Sequence, residues 1–97
     1  MRTLVTVTIG NEAGNRAIKD GSLPKLMEGF LRDFKPEAAY FTTTGGERTA
    51  YFVIDLKDST SMPSVAEPFF MGLDAHVGMR PVMNADDLRA GLKKLGG

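Results

Sequence analysis

Ala38-Ala39-Tyr40-Phe41-Thr42-Thr43-Thr44-Gly45-Gly46-Glu47-Arg48-Thr49-Ala50-Tyr51-Phe52-Val53-Ile54-Asp55-Leu56 reads as a β-hairpin at the centre of the chain. The runs Ala38 to Thr44 and Arg48 to Leu56 are rich in β-branched and aromatic residues, which suit a pleated, half-buried surface. Gly45-Gly46 supplies the positive φ angles that a tight hairpin turn needs. With those glycines as the turn centre, Phe41 faces Ala50 and Ala39 faces Phe52, while Tyr40 faces Tyr51 and Ala38 faces Val53. Because side chains alternate across a strand, both tyrosines fall on one side and Phe41 and Phe52 on the other.

Working toward the N-terminus, a helical pattern precedes the hairpin. Leu23, Leu26, Met27, Phe30, Leu31 and Phe34 recur at helical spacing and form one apolar stripe. Ser22 is the expected N-cap, with Pro24 in the first turn, and Lys35-Pro36 the expected stop. Residues 12–20 form a weaker helical stretch that Gly21 interrupts. Before it, Thr3-Leu4-Val5-Thr6-Val7-Thr8-Ile9 alternates with a period of two. It predicts a strand with Val5, Val7 and Ile9 buried.

Beyond the hairpin, Asp58-Ser59-Thr60-Ser61 is a loop or cap, and Pro63 suits the first turn of a second helix. The expected buried face of that helix is Val65, Ala66, Phe69, Phe70 and Leu73, with a kink at Pro68. Ala75 to Met83 predicts a last strand, placed at a sheet edge by Pro81. Asn84 caps a final helix whose apolar stripe is Leu88, Leu92 and Leu95. The predicted order is β-α-β-β-α-β with an added C-terminal helix, in one α+β domain spanning residues 1–97. With right-handed crossovers, its compact form is a four-stranded antiparallel sheet with both long helices on one face.

Those helices cover Val5, Val7, Ile9, Ala50, Phe52 and Ile54. The opposite face carries Leu4, Thr6, Thr8, Ala38, Tyr40, Tyr51 and Val53, joined by His76 and Arg80 if Val77 and Met79 point inward. Left uncovered, it exceeds the apolar patch a soluble monomer usually shows to water. A homodimer packed through this open sheet face, with a lined cavity between the sheets, is the expectation.

Composition narrows the function. Lys plus Arg and Asp plus Glu are equal at 12 each and neither sign forms a run, so nucleic acid is not an expected partner. An RNA-recognition reading also fails at Arg48-Thr49-Ala50-Tyr51-Phe52-Val53, which lacks the glycine and first aromatic of that motif. There is no cysteine, which removes disulfides, thiolate metal sites and thiol chemistry. One histidine among scattered carboxylates gives no metal-ligand spacing, so neither metal nor cofactor is expected. Met27, Met62, Met71, Met79 and Met83 read as core or interface filler. Met1-Arg2 runs directly into the first strand with no apolar leader or membrane-length segment. The expectation is a cytoplasmic protein without a membrane partner.

The chain resembles the dimeric α+β barrel group of ferredoxin-like folds. Element order carries the resemblance over nearly the whole length. Ala66-Glu67-Pro68-Phe69-Phe70, Pro81-Val82-Met83 and Asp86-Asp87-Leu88 are similar to small bacterial domains of that group to which no activity is assigned. The group also holds cofactor-free monooxygenases of aromatic polyketides, haem degraders and muconolactone isomerases. None of their catalytic sets matches residue by residue, and without Trp there is no Asn-Trp-His set. The resemblance implies the fold and the dimer, and fold alone transfers no activity.

Candidate ligand-binding residues are therefore those of the open face: Thr6, Thr8, Tyr40, Tyr51, His76 and Arg80. His76 is the only histidine, the residue type whose charge changes nearest neutral pH, and is the one candidate general base. The plainer alternative is a solvent-facing histidine at a strand start. Tyr40 and Tyr51 place two phenols on a planar ligand, or simply pair across strands to hold the hairpin. Arg80 pairs with an anionic ligand or with a carboxylate of the other subunit, whereas Arg48 and Asp55 are expected in solvent. Glu67 reaches the cavity only if the Pro68 kink turns its helix. The leading expectation is a small-molecule-binding dimer, in the form of a cofactor-independent monooxygenase or isomerase of an aromatic or polyketide-like substrate. The alternative is a non-catalytic ligand-sensing or structural dimer module.

Overall fold

The Val/Thr alternation of the first strand sets the two faces on which the rest of the chain is built. The structure, a computed structural model, describes residues 1–96. Its elements are β1 (Arg2–Ile9), α1 (Asn11–Asp20), α2 (Ser22–Phe34), β2 (Ala38–Thr44), β3 (Glu47–Asp55), a 3₁₀ turn (Ser59–Ser61), α3 (Met62–Leu73), β4 (His76–Pro81) and α4 (Ala85–Lys93). The four strands form one sheet in the order β2-β3-β1-β4, and every neighbouring pair is antiparallel. No helix among the described residues is long and apolar enough to cross a membrane.

The hairpin register agrees with the reading from the turn. Phe41 pairs with Ala50 and Tyr40 with Tyr51, and Gly45 and Gly46 take φ of 60° and 80°. Two consecutive residues at positive φ twist the connection in the sense that the flanking strands require. In β1, Thr3, Val5, Val7 and Ile9 are buried and Arg2, Leu4, Thr6 and Thr8 are half-buried, so one face meets the helices and the other does not.

The core lies between the helix-side face and α2 and α3. Val5, Val7, Phe52, Val65 and Phe69 are fully shielded, with Met27 and Phe30 from α2. Phe30 stands 4.5 Å from Phe52 and 5.1 Å from Phe69, ring centre to ring centre. Tilted rings at this spacing add roughly 0.5–1.5 kcal/mol per pair beyond the area they bury. Val77 and Met79 pack inward against this core, as the edge-strand reading requires.

Several expectations are corrected. The first connection holds two helices, because residues 11–20 form a full helix that closes on Gly21 in the left-handed region, φ 81°. Ser22 is consequently not an N-cap: it is the first residue of α2, and its own N–H donates to Asp20 Oδ1 at 2.8 Å. A left-handed glycine turns the chain within a single residue, so the cap comes from the helix behind it. Pro68 lies within α3, as expected, and the helix runs on to Leu73. Phe70 is 40% exposed, because the core at that level is filled by Phe69 and Leu73. The last strand is shorter than expected at both ends. The Leu88, Leu92 and Leu95 stripe finds no core: none of Ala85–Lys93 is buried and Leu95 lies beyond the helix end, although Asn84 caps the helix as expected and Asp87 completes a capping box with it.

Candidate functional site

Alternation along β1, β3 and β4 brings the polar residues of the open face into ladder rows. Tyr40, Tyr51, Thr6 and Gly78 stand in one row across the four strands, and Thr42, Thr49, Thr8 and His76 in the next. Ala38, Val53, Leu4 and Arg80 flank the tyrosine row on its other side. A row is a line of side chains about 5 Å apart, close enough for several of them to meet one small molecule.

A depression of about 550 Å³ lies over these rows, lined by Thr6, Thr8, Tyr51, His76 and Arg80 together with Phe70, Ala75, Val77 and Gly78. Five of the six sequence-predicted site residues thus share one hollow. Tyr40 does not line it. It stands beside Tyr51 on the outer strand and is 69% exposed, because β2 is the sheet edge farthest from β4.

Four lining residues, Phe70, Ala75, Val77 and Gly78, were not among the predicted site residues. Gly78 leaves its row without a side chain opposite Thr6, and a Cβ built there would meet nothing within 4 Å. A glycine inside a short strand is a signal that something approaches the backbone or that space is kept open. Phe70 comes from α3 and reaches the rim because it is displaced from the core. Only the packing of Phe69 against Phe52 decides that.

Electrostatically the hollow is one-sided. Arg80 and His76 line it and no carboxylate does. Among the described residues Arg80 has no ion-pair partner, and neither it nor His76 has a side-chain hydrogen bond. Such a surface accepts an anionic or electron-rich oxygen, with Thr6, Thr8 and Tyr51 as neutral donors and acceptors. Among the described residues no group of three His, Asp or Glu side chains is placed to hold a metal.

The other candidates separate from this site. Arg48, expected in solvent, instead lies on α1: its Nη2 donates to Asn15 Oδ1 at 3.0 Å and its Nη1 is buried against Gly14. A Cβ at Gly14 would fall 2.6 Å from that nitrogen, so glycine is what lets the guanidinium dock. Asp55 is exposed and takes the N-terminal ammonium at 2.8 Å, which holds its carboxyl below the usual range, first through that hydrogen bond. Glu67 lies in a neighbouring groove with Met62, Pro63 and Phe70 and does not line the open-face hollow. A smaller hollow of about 210 Å³ between α2 and the hairpin is lined mainly by Ile9, Leu23, Met27, Phe41 and Ala50 and shares no predicted site residue.

Comparison of the chain with protein-family models, with curated proteins and with solved structures gives no match.

Proposed function

We propose that the protein is a homodimer that binds a small, aromatic, oxygen-rich anion between its two sheets. The strand order β2-β3-β1-β4 with two crossover connections is read as a ferredoxin-like fold, and the pair as a dimeric α+β barrel. One observation carries the proposal: the uncovered sheet face bears a hollow that collects Thr6, Thr8, Tyr51, His76 and Arg80 and contains no carboxylate. Phe70 and Tyr51 give an aromatic ligand apolar surface, while Arg80 meets a phenolate or carboxylate. A polyketide-like polyphenol has both features.

Two forms of this function differ in chemistry. A cofactor-independent oxygenase or isomerase works best with a base whose ring or carboxylate is held in place by a neighbouring group. Among the described residues His76 has no such orienting partner, which favours binding without turnover as long as the second copy supplies none. The ligand-sensing form therefore fits the chain's own geometry, and the catalytic form requires a carboxylate or carbonyl from the partner.

Sedimentation of the purified protein, followed by calorimetric titration with a hydroxylated anthraquinone or flavonoid, tests the reading. The expected result is a dimer that binds the probe, with Arg80→Ala weakening binding about 10- to 100-fold, the usual loss of one charge-assisted hydrogen bond. A monomer at micromolar concentration, or a dimer indifferent to every such probe, overturns it. Turnover of the probe lost in His76→Ala would decide for the catalytic form.

A further inference from the structure

The C-terminal helix is well built and unpartnered. Asn84 accepts the Asp87 N–H at 2.8 Å, the Asp87 side chain takes the Asn84 N–H at 3.1 Å, and Lys93 stands near the negative end of the helix. Yet nine residues are too few for a helix to hold in water on its own propensity, so an amphipathic face must be packed somewhere. Leu88 and Leu92 are 45% and 54% exposed, and no residue of α4 is buried.

The start of α4 is fixed. Arg2 donates from Nη1 to Asp87 at 2.5 Å and from Nε to Glu37 at 2.7 Å, tying the first helical turn to the end of the sheet. Arg2 shares its face with Leu4, Thr6 and Thr8, so α4 departs from the uncovered side of the sheet. Leu88 continues a groove formed by Met1 and the Pro81–Ala85 segment, which joins the helix stripe to the strand end.

The molecule is correspondingly extended. Its radius of gyration is 15.4 Å, where about 12.5 Å is usual for a domain of this length. It measures 56 × 28 × 17 Å. The accessible surface is 6529 Å², against about 5,400 Å² for a compact monomer of 10.5 kDa. The surplus, roughly 1,100 Å², exceeds the ~800 Å² that each partner contributes to an ordinary stable interface.

We infer that α4 is a dimerisation arm, packing Leu88 and Leu92, with Leu95 from the turn just beyond it, onto a second copy of this chain as an extension of the open-face interface. The inference rests on the homodimer reading above and adds the segment that crosses between subunits. A second copy is the occupant that fits, because the surplus area is sufficient for one half of a two-fold interface and the arm leaves on the side where that interface is proposed. Asp86, Asp87, Arg89, Lys93 and Lys94 flank the leucines with both signs, as the rim of a protein contact does and a surface helix bound to anionic lipid does not.

The test uses the full chain and its Leu88→Asp/Leu92→Asp double variant in sedimentation equilibrium. Both leucines lie outside the core, so the variant is expected to keep the thermal unfolding of the sheet and its two packed helices, losing at most the circular dichroism of the short α4. Its dimer is expected to be weaker by about 100-fold or more, the effect of losing two buried leucines. Hydrogen exchange gives the second measurement: amides of residues 88–93 should gain protection as wild-type concentration rises through the dimerisation range. A wild-type dimer with an equally tight variant overturns the arm and leaves the sheet-to-sheet dimer standing. Arm protection that is independent of concentration, showing α4 folded onto its own chain, also overturns it. A wild-type protein that stays monomeric overturns both readings.

Discussion

Replacing Gly78 separates the stability of the sheet from the space above it. Gly78 sits inside β4 opposite Thr6, its φ is not positive, and a Cβ built there meets nothing within 4 Å. Glycine in a strand interior costs roughly 0.5–1 kcal/mol relative to alanine through backbone entropy alone. Gly78→Ala should therefore stabilise the protein by about that amount, and for a domain of this size the melting temperature should rise by about 2–8 °C. Gly78→Val should be at least as stable, since valine suits a pleated surface. Its three carbons fill the notch, and affinity for an aromatic probe should fall about 10-fold or more, as one or two misplaced methyl groups in a pocket can cause. Urea and thermal unfolding followed by circular dichroism, at one fixed protein concentration because dimerisation couples to stability, measures the first effect and titration the second. If Gly78→Ala lowered stability by more than about 1 kcal/mol, the Cβ would be striking something this chain does not itself present. The notch would then be filled by the partner's backbone, and ligand space at Gly78 would be refuted.

Further outcomes follow from other parts of the molecule. Phe69→Ala removes a fully shielded ring packed on Phe30 and Phe52 and should cost about 3–5 kcal/mol, read from the urea midpoint. Gly46→Ala forces a side chain into φ 80° at the hairpin turn and should cost about 1–2 kcal/mol in the same assay. The Asp58 carboxyl is held below its usual range, first by the Thr60 hydroxyl and then by the Thr60 N–H. A depressed folded pKa stabilises above the unfolded value and is lost as pH falls through the folded one. The stability gap between wild type and Asp58→Ala should therefore shrink on acidification, and a gap that widened would contradict the capping role. Thr6→Val/Thr8→Val should leave the fold intact and weaken probe binding; a tighter dimer with unchanged probe binding would show that the sheets meet dry.

How far the sequence could be read depended on whether a residue's surroundings were local. The faces of β1 and β3 and the hairpin register were legible because alternation and Gly45-Gly46 act between neighbours in the chain. The Asn84 cap was legible for the same reason. Phe70 was not: at helical spacing it is indistinguishable from Phe69, and only the packing of Phe69 on Phe30 and Phe52 sets one ring inside and leaves the other out. Arg48 reads as a hairpin cation in solvent until α1 is known to pass over it with a glycine at the crossing point. Leu88, Leu92 and Leu95 predict a packed face that this chain does not provide, because a helical pattern says nothing of which surface will cover it. Among the candidate residues, the shared hollow of Thr6, Thr8, Tyr51, His76 and Arg80 followed from parity on three strands. Tyr40 followed the same parity but fell outside the hollow, because parity fixes a face and not a distance along the sheet.

The threonines of the open face bear on how two sheets could meet there. Among the described residues, Thr49 Oγ1 donates to the Glu47 carbonyl at 3.2 Å, while Thr6, Thr8 and Thr42 have no comparable side-chain partner. An unbonded hydroxyl enclosed in a dry interface costs about 1–3 kcal/mol, so three of them would offset much of what an ordinary interface gains. Val at those positions would have served a dry sandwich better with the same shape and the same strand preference. Hydroxyls in ladder rows, beside a cation and a missing side chain, make sense in a gap that holds water or a polar ligand. On the homodimer proposal the apolar contact between copies would then come from elsewhere, and the exposed Leu88 and Leu92 of α4 are one source of it.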